Sequence, residues 1–343
     1  MITAPRFWWR RRGGVASLAL IPVSAIWSTV SGARMRRPPL VRPPLPVICV
    51  GNFVVGGAGK TPTALAVADI VKDLGFRPGF LTRGYGGRVT TAHLVDPARD
   101  DAALVGDEAL LLADKGPVAV APDRPKGVPL LEAAGADCII MDDGFQNPSL
   151  AKDFSLVVVD GVAGIGNGKV MPAGPLRAPL RTQLVRADAV MIVGPGAGGD
   201  HVVRLAARAG RVILRAYLEP ARADVVAGGR YLAFAGIGRP EKFFASLEAA
   251  GAEIAVREPF PDHHPFSDAD AERLLARAAS DGLRLVTTAK DHARLRGTSG
   301  ARLQLAEKAE VFGVRMRFED EARIRRLLER ALKQATGRPS TGR

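Results

Sequence analysis

The sequence predicts an α/β fold in which a parallel sheet is covered by helices on both faces and is followed by a smaller C-terminal α/β domain. Of the 343 residues, 47 % are hydrophobic, which is enough to build a full core. Short, uninterrupted apolar runs alternate with stretches of helical pattern, as in parallel sheets buried on both faces. The 38 glycines and 25 prolines indicate many tight loops.

The elements follow one another in two series. In the first, buried strands are predicted at 46–52, 77–84, 117–123, 137–143, 154–161 and 189–194, with helices at 62–74, 107–115, 126–134 and 202–209. In the second, strands are predicted at 230–238, 252–260, 284–291 and 310–318, with helices near 240–250, 267–279 and 319–335. The predicted domains are an N-terminal membrane-associated helix at 1–35, a core domain at 36–225, a smaller domain at 226–335 and a disordered tail at 336–343.

Charge and cysteine content limit the function classes. There are 48 basic and 35 acidic residues, a net charge of +13 that attracts phosphates of nucleic acid, anionic lipid or a small substrate. No nucleic-acid recognition motif or aromatic stacking platform is present in the sequence, so no nucleic-acid partner is expected. Cys49 and Cys138 each lie in a buried apolar run, which argues against a disulfide framework and fits a reducing compartment.

The amino terminus carries an apolar stretch with basic flanks. Residues 13–31 are uncharged, arginines lie on both sides, and all three tryptophans (Trp8, Trp9 and Trp27) bracket the stretch. A signal peptide, a spanning helix, a helix lying in the membrane interface and a buried helix of a soluble protein are the alternatives. Pro22 counts against the first, and the basic residues on both flanks favour the interfacial helix. Deleting 1–35 is expected to release the protein from membranes and leave the fold intact.

The segment VICVGNFVVGGAGKTPT (47–63) predicts a phosphate-binding loop between a strand and a helix. The glycines allow backbone N–H groups to surround phosphate oxygens, Lys60 would reach the β- and γ-phosphates, and Thr61 would bind Mg²⁺. Val54 stands where the strict motif has glycine. The fold class is therefore P-loop NTPase-like, and the predicted ATP contacts are Gly56, Gly57, Ala58, Gly59, Lys60, Thr61 and Pro62.

Acidic residues follow two of the predicted elements. Asp142 and Asp143 end a strand, where carboxylates face the ligand crevice and order Mg²⁺, and Gln146 could add an oxygen ligand. A simple Asp-Asp-Gly turn is the alternative. Asp107 begins a predicted helix and could simply cap it. Alternatively, either Asp107 or one of Asp142 and Asp143 accepts the proton of an attacking hydroxyl.

The second series contains adjacent histidines in PFPDHHPFSDAD. His263 and His264 lack the spacing of a zinc site, so an acid–histidine relay or a loop that caps the next helix is favoured. Arginines on loops at strand ends, such as Arg83 and Arg177, suit phosphate recognition or are solvated surface charges.

Taken in order, these motifs resemble the tetraacyldisaccharide 4′-kinase family of lipid A biosynthesis. The resemblance rests on FWW, VGNFVVGGAGKTP, LTRGYGG, GDE, APDR, MDDGFQN, GNGKVMPAGPLR, AGIGRPEKFF, FPDHHPF and TAKDHARL. It implies transfer of phosphate from ATP, with Mg²⁺, to the 4′-hydroxyl of a tetraacylated glucosamine disaccharide 1-phosphate. It also implies attachment to the cytoplasmic face of the inner membrane, and a monomer is expected.

The resemblance also assigns roles to individual residues. It implies that Asp107 is the base and that His263 pairs with it. The remaining roles are catalysis and nucleotide or metal binding for Lys60, Thr61, Asp142, Asp143 and Gln146, and substrate contact for Arg83, Tyr85, Asn167 and Arg177.

The chain departs from the family pattern at two positions, and its phosphate loop also allows one rival function. Ala178 stands where the family usually carries an acid and Ala289 where it often has Glu, so a catalytic role of an acid at these two positions is in doubt. The rival is a membrane-associated regulatory ATPase with a deviant GGxGKT loop, which normally has lysine where this chain has Val55.

Overall fold

The computed structural model describes residues 4–10 and 13–337, which form two compact units. Of these residues, unit 1 comprises 4–10, 13–83, 123–218 and 316–337, and unit 2 comprises 84–122 and 219–315. This division differs from the sequence-based boundaries, which place 84–122 in the core domain and the last helix in the smaller domain. Each unit is assembled from separate stretches of chain, and a boundary drawn along the sequence cannot express such an arrangement.

The strands of the described residues are β1 (Val47–Asn52), β2 (Pro78–Thr82), β3 (His93–Leu94), β4 (Val118–Val120), β5 (Cys138–Asp142), β6 (Phe154–Asp160), β7 (Ala189–Val193), β8 (Val212–Pro220), β9 (Arg230–Ala235), β10 (Glu253–Pro259), β11 (Arg284–Thr287), β12 (Ala309–Val311) and β13 (Val314–Phe318). The α-helices are α1 (Gly14–Ala19), α2 (Ile21–Arg36), α3 (Lys60–Asp73), α4 (Ala102–Val105), α5 (Asp107–Ala113), α6 (Val128–Ala133), α7 (Leu180–Arg186), α8 (Asp200–Arg208), α9 (Pro240–Ala249), α10 (Asp268–Ser280), α11 (Ala289–Leu295), α12 (Gly300–Lys308) and α13 (Glu321–Thr336). Short 3₁₀ helices span Arg6–Trp9 and Arg124–Gly127.

The sheet of unit 1 positions the phosphate-binding loop. Its strands lie in the order β13-β8-β7-β6-β1-β5-β2, and those from β8 to β2 pair in parallel. Every residue of β1, β2 and β5 is buried, which explains their continuous apolar runs. Val50 of β1 pairs with Asp142 of β5, so the carboxyl ends of these two strands meet at one edge, where α/β sheets bind ligands.

Unit 2 contains a second parallel sheet, in the order β10-β9-β11-β12, together with the antiparallel pair β3 and β4. Alternate residues of β9 belong to two different apolar clusters. Leu232 and Phe234 pack with residues of α10 and α12, whereas Tyr231 and Ala233 pack with residues of α9. Both faces of this sheet are therefore covered, as the sequence pattern predicts.

The predicted mixed α/β class is confirmed, and most predicted elements are found. The strand predicted at 284–291 is wrong in its second half because the Thr288 hydroxyl accepts a hydrogen bond from the Asp291 N–H and caps α11. The strand predicted at 310–318 is interrupted at Phe312 and Gly313 and forms β12 and β13 instead. Strand β8 was not predicted from the sequence, because its side chains alternate between buried and exposed only over Leu214–Tyr217.

The N-terminal stretch is divided into a 3₁₀ helix, α1 and α2. Within the described residues, no helix combines the length and the apolar character needed to cross a membrane. Membrane association of 1–35 stays a prediction. Ser17 and Ser24 are nevertheless buried within unit 1 and donate hydrogen bonds to Ala173 O and Val170 O. These contacts argue against the expectation that deleting 1–35 would leave the fold intact. Of the predicted disordered tail, 338–343 lies outside the described residues.

Candidate active site

The phosphate-binding loop joins the end of β1 to the start of α3. Gly56 and Gly59 have φ of +105° and +88°, values that favour glycine. A Cβ at Gly56 or Gly57 would meet no atom within 4 Å, so this side of the loop faces open space. The first N–H groups of α3 have no partner within the helix, which makes its amino terminus an anion site.

Lys60 and Thr61 project from the first turn of α3 and are both buried. The Lys60 ammonium donates to Gly56 O at 3.2 Å and lies 3.7 Å from a carboxylate oxygen of Asp143. The Thr61 hydroxyl donates to Asp142 Oδ2 at 3.1 Å. Sequence-predicted residues from the loop and from the end of β5 are therefore in direct contact.

Asn52, the last residue of β1, completes the loop and was not expected from the sequence. Its amide Nδ2 donates to Gly56 O at 2.9 Å and holds the loop against the strand end. Among the described residues its Oδ1 is buried and has no hydrogen-bond partner. A buried acceptor beside the phosphate loop is a feature that a bound ligand or its water shell can satisfy.

Arg177 and Asp143 form a fork-to-fork ion pair. The two terminal nitrogens of Arg177 donate to the two carboxylate oxygens of Asp143 at 2.8 and 3.0 Å. Burial raises the pKa of Asp143, but the positive charges of Lys60 and Arg177 lower it by more than burial raises it. The pKa of Asp143 therefore lies below its usual range. Asp143 is therefore ionised at neutral pH and holds two cations beside the loop.

Gln146 supports this ion pair through its amide. Its nitrogen donates to Asn52 O at 2.7 Å and to Gln183 Oε1 at 2.8 Å, and its oxygen lies 3.5 Å from Arg177. Gln183 is fully buried and also donates to Ala178 O at 2.7 Å. The Gln146 oxygen thus faces Arg177, and its role as a metal ligand stays a prediction. Ala178 stands where the family pattern has an acid, and its methyl group is buried.

Two further arginines belong to unit 1. Arg124, in the APDR motif, is buried, and its pKa is lowered to about 10, first by burial and then by the positive charge of Arg83. Arg83 itself is exposed. Asn167, predicted to contact substrate, donates instead to Ala173 O at 2.9 Å and Ser17 Oγ at 3.2 Å. Its substrate role stays a prediction, and its visible role is to shape its own loop.

Unit 2 brings Asp107 and His263 together from segments far apart in sequence. Asp107, in the first turn of α5, is buried, and its Oδ2 lies 3.3 Å from His263 Nδ1. Arg294 of α11 donates to the same oxygen at 2.5 and 3.0 Å. The ring of Tyr85 meets the ring of His263 edge-on, with centroids 5.9 Å apart. The predicted acid–histidine pair is therefore present.

The charges around this pair are strongly coupled. Burial raises the pKa of Asp107, but its hydrogen bond to His263 and the charges of Lys290 and Arg294 lower it well below its usual range. The hydrogen bond to Asp107 raises the pKa of His263 above its ordinary value, against the effect of burial. Asp107 is thus held ionised, and the imidazole beside it binds a proton more tightly than a free histidine.

Backbone strain marks residues in both regions. Within 4–10 and 13–337, Asp143 and His263 are the non-glycine residues with positive φ, at 55° and 58°. Such conformations cost energy and cluster at functional sites. His264, by contrast, pairs with Asp270 at 3.0 Å, so the adjacent histidines have different partners.

Comparisons with known proteins decide the family. The family model of the tetraacyldisaccharide-1-P 4′-kinases matches residues 16–333. Tetraacyldisaccharide 4′-kinases of Brucella anthropi and Brucella canis are each 48 % identical over 335 residues, covering 98 % of both chains. The chain belongs to the tetraacyldisaccharide 4′-kinase family. This enzyme is a kinase, and the alternative of a regulatory ATPase is not favoured.

A solved structure agrees with this membership. LpxK from Aquifex aeolicus, crystallised in an "apo" form in complex with ATP, matches with a TM-score of 0.74 and 26 % identity. The match covers 93 % of this chain and all of that one. The fold predicted from the sequence is thus the fold of this kinase family.

Some residues of the kinase site were not found by sequence reasoning. Arg294 and Asp291 lie in TAKDHARL, a motif noted in the sequence without a role for either residue. Asp291 is buried and accepts hydrogen bonds from Gly236 N, Thr288 Oγ1 and Arg294, which fixes the guanidinium against Asp107. The available signal was a pair of opposite charges three residues apart at a helix start, which also occurs on ordinary surface helices.

Proposed function

We propose that this kinase binds ATP at the loop from Gly56 to Pro62 and transfers the γ-phosphate to the 4′-hydroxyl of its tetraacylated disaccharide 1-phosphate. The observation that carries the proposal is the arrangement of cations and backbone around one helix start. Lys60 and Arg177 donate hydrogen bonds to the loop, at Gly56 O and Val54 O, and α3 begins where the loop ends. A triphosphate is the ligand class that such a site neutralises.

A magnesium ion fits the residues next to this loop. The Thr61 hydroxyl and the buried Asp142 carboxylate supply oxygen donors, the type that Mg²⁺ prefers, and Mg²⁺ normally keeps several waters. Among the described residues, no cluster of three or more His, Cys, Asp or Glu side chains forms a dedicated metal cage. When bound, the ion would neutralise charge on the phosphates; Thr61 and Asp142 would hold it.

Lys60 and Arg177 would stabilise the charge that spreads over the phosphoryl oxygens during transfer. Asp143 keeps both cations in place through its contacts at 2.8 to 3.7 Å. Since Asp143 is ionised and already shared between two cations, we assign it this positioning task. Arg83, exposed near the buried Arg124, would bind phosphate of the lipid substrate.

The Asp107–His263 pair would receive the proton of the 4′-hydroxyl. Phosphoryl transfer needs an acceptor for this proton and little other covalent help. Asp107 is kept ionised by Arg294 and Lys290, and it holds the His263 ring through Nδ1. Because the two groups share a hydrogen bond, the proton belongs to the pair, and the pH dependence of the rate reports the pair. Tyr85 would limit the orientation of the ring.

The N-terminal helices would attach the enzyme to the cytoplasmic face of the inner membrane. Large apolar side chains project into solvent there, with Val15 83 % and Ile26 68 % exposed. Exposed arginines flank this face at Arg10, Arg34, Arg36 and Arg37 and suit anionic headgroups. A lipid substrate keeps its acyl chains in the bilayer, so an enzyme at that surface meets it at a raised effective concentration.

The test is transfer of labelled γ-phosphate from ATP to the tetraacyl disaccharide 1-phosphate in mixed micelles. The labelled lipid should carry the phosphate at the 4′ position, and a 4′-deoxy acceptor should remain unlabelled. Release of label only as free phosphate, equally with either lipid, would refute the proposal. A requirement for Mg²⁺ is tested in the same assay by adding EDTA, which should stop transfer.

A further inference from the structure

The N-terminal segment, residues 4–10 and 13–36, is bound to one loop of unit 1 by side-chain hydrogen bonds. We call residues 165–179, which contain Arg177, the arginine loop. Carbonyl oxygens of this loop accept hydrogen bonds from Ser24 Oγ at 2.6 Å, from Ser17 Oγ at 2.7 Å and from Trp8 Nε1 at 2.9 Å. A segment that served only as a membrane tether would not need such specific contacts.

The contact is also closely packed. Asn167 N donates to Trp8 O at 2.8 Å, and its side chain donates to Ser17 Oγ. At Gly166, a Cβ would lie 2.3 Å from Trp8 O, so the arginine loop approaches the N-terminal backbone as closely as glycine allows. Ser17 and Ser24 are buried, while most neighbouring residues on α1 and α2 are exposed.

The arginine loop passes this contact on to the nucleotide site. Val55 N donates to Pro175 O, and Arg177 N donates to Phe53 O, both at 2.9 Å. The Arg177 side chain donates through Nε to Val54 O at 3.0 Å and through its terminal nitrogens to Asp143. Residues 53–55 lead directly into the glycines of the phosphate loop. Hydrogen bonds at both ends of the arginine loop, joined by the backbone of the loop itself, therefore connect α1 and α2 to Arg177.

We propose that the N-terminal segment positions Arg177 and the phosphate loop for nucleotide binding, with Ser17, Ser24 and Trp8 as positioning residues. The inference rests on the proposed ATP site and is separate from the membrane contact, which uses the opposite, exposed face of the same helices. One face of the segment meets the lipid, and the other fixes an arginine beside the phosphates.

The experiment measures ATP affinity in detergent solution with the full-length protein, so that membrane binding has no influence. The double variant Ser17→Ala/Ser24→Ala removes two donors and leaves two carbonyl groups of the arginine loop without their partners. Its Kd and KM for ATP·Mg²⁺ should rise roughly three- to tenfold, because the free energy of one lost buried hydrogen bond corresponds to about that change in affinity. KM for the lipid acceptor and binding to anionic vesicles should stay at the wild-type level.

Matched variants separate positioning from anchoring. Thr29→Ala removes a hydroxyl on α2 that is exposed and bonds only within its own helix, so ATP affinity should not change. Ile26→Asp places a charge on the exposed apolar face; vesicle binding should fall while ATP affinity in detergent remains. Trp8→Phe removes one donor and keeps the aromatic ring, which provides a second, milder test if the double variant fails to fold.

Equal ATP affinity in the wild type, the double variant and Trp8→Phe would overturn the inference while leaving the ATP site in place. Failure of the wild type to bind ATP would overturn the proposed nucleotide site and this inference with it. A rise in the Kd of the serine variant with unchanged vesicle binding supports the inference.

Discussion

The two candidate functional regions of this kinase are built on different physical principles. In unit 1, the phosphate site consists largely of backbone: a glycine loop, a helix start and strand ends, with Lys60 and Arg177 added. In unit 2, the Asp107 site consists of side chains, with His263 and Arg294 converging on one buried carboxylate. Backbone donors have fixed positions once the fold forms, whereas a buried carboxylate depends on every partner being present.

The two sites should therefore respond differently to substitutions. Substitutions of Lys60 or Arg177 in the phosphate site should remove individual contacts, because the backbone donors of the loop and of the helix start remain. Substitutions in the Asp107 site should disturb several groups at once, since Asp107, Arg294 and Asp291 share charges within hydrogen-bonding distance. Both regions share one feature, a positive-φ acidic or histidine residue at the point where the side chains meet.

The largest effect is expected for Lys60→Ala. It removes a buried cation that contacts both the loop and Asp143, and with it both phosphate binding and transition-state stabilisation. The value of kcat/KM should fall by more than about 10³-fold. Lys72→Ala, at the far end of the same helix, removes the same charge from an exposed position and should leave the rate near wild type. Comparable losses in the two variants would point to a general effect of charge.

Asp107→Asn should lower kcat by about 10³-fold, the contribution of a positioned general base. ATP affinity should remain near the wild-type value, because the substitution leaves the phosphate loop, Lys60 and Arg177 unchanged. Kinetics and equilibrium binding of the same preparation check both statements. Asp114→Asn changes an exposed carboxylate at the other end of α5 and serves as the control. Substantial turnover by Asp107→Asn would remove this residue from the proton-accepting pair.

Arg177→Lys keeps the charge but cannot form the two parallel hydrogen bonds to Asp143. KM for ATP should rise about tenfold, with a smaller change in kcat. Steady-state kinetics at saturating lipid acceptor measures both values. A lysine variant with the wild-type KM would show that the fork geometry is unimportant and that only the positive charge matters.

The smallest effect concerns proton binding by His263. Its hydrogen bond to the ionised Asp107 raises its pKa, so the wild-type ring should lose its proton at a higher pH than an ordinary histidine. The rate should therefore increase with pH through this raised value, because the pair must be free of the proton to accept one. NMR titration of the ring should give a lower pKa in Asp107→Asn. An unchanged pKa would show that the two groups do not interact in solution.

Sequence reasoning found the phosphate site more completely than the Asp107 site, and the reason is physical. The loop, Lys60 and Thr61 are contiguous, and Asp142 follows a strand whose apolar pattern is clear. Asp107, His263 and Arg294 come from three segments separated by about 30 to 160 residues, and only the folded chain brings them together. The sequence offered Asp107 and the adjacent histidines as candidates, their pairing entered only through the family resemblance, and Arg294 was missed.

The sequence also does not reveal how the amino terminus packs, and its membrane contact stays a prediction. An apolar stretch with basic flanks predicts membrane contact from composition, and nothing in its pattern reveals that Ser17 and Ser24 face the arginine loop. Small polar residues on an apolar helix suit both solvent and a buried carbonyl, so the sequence alone could not decide between a tether and a packed segment.

The most direct test of the division between the two regions is calorimetric ATP binding, with Mg²⁺, to the wild type, Lys60→Ala and Asp107→Asn. We expect the wild type and Asp107→Asn to bind ATP with similar affinity and Lys60→Ala to bind it at least about tenfold more weakly. Well-folded wild-type protein that takes up no ATP, or Lys60→Ala protein with full affinity, would contradict it.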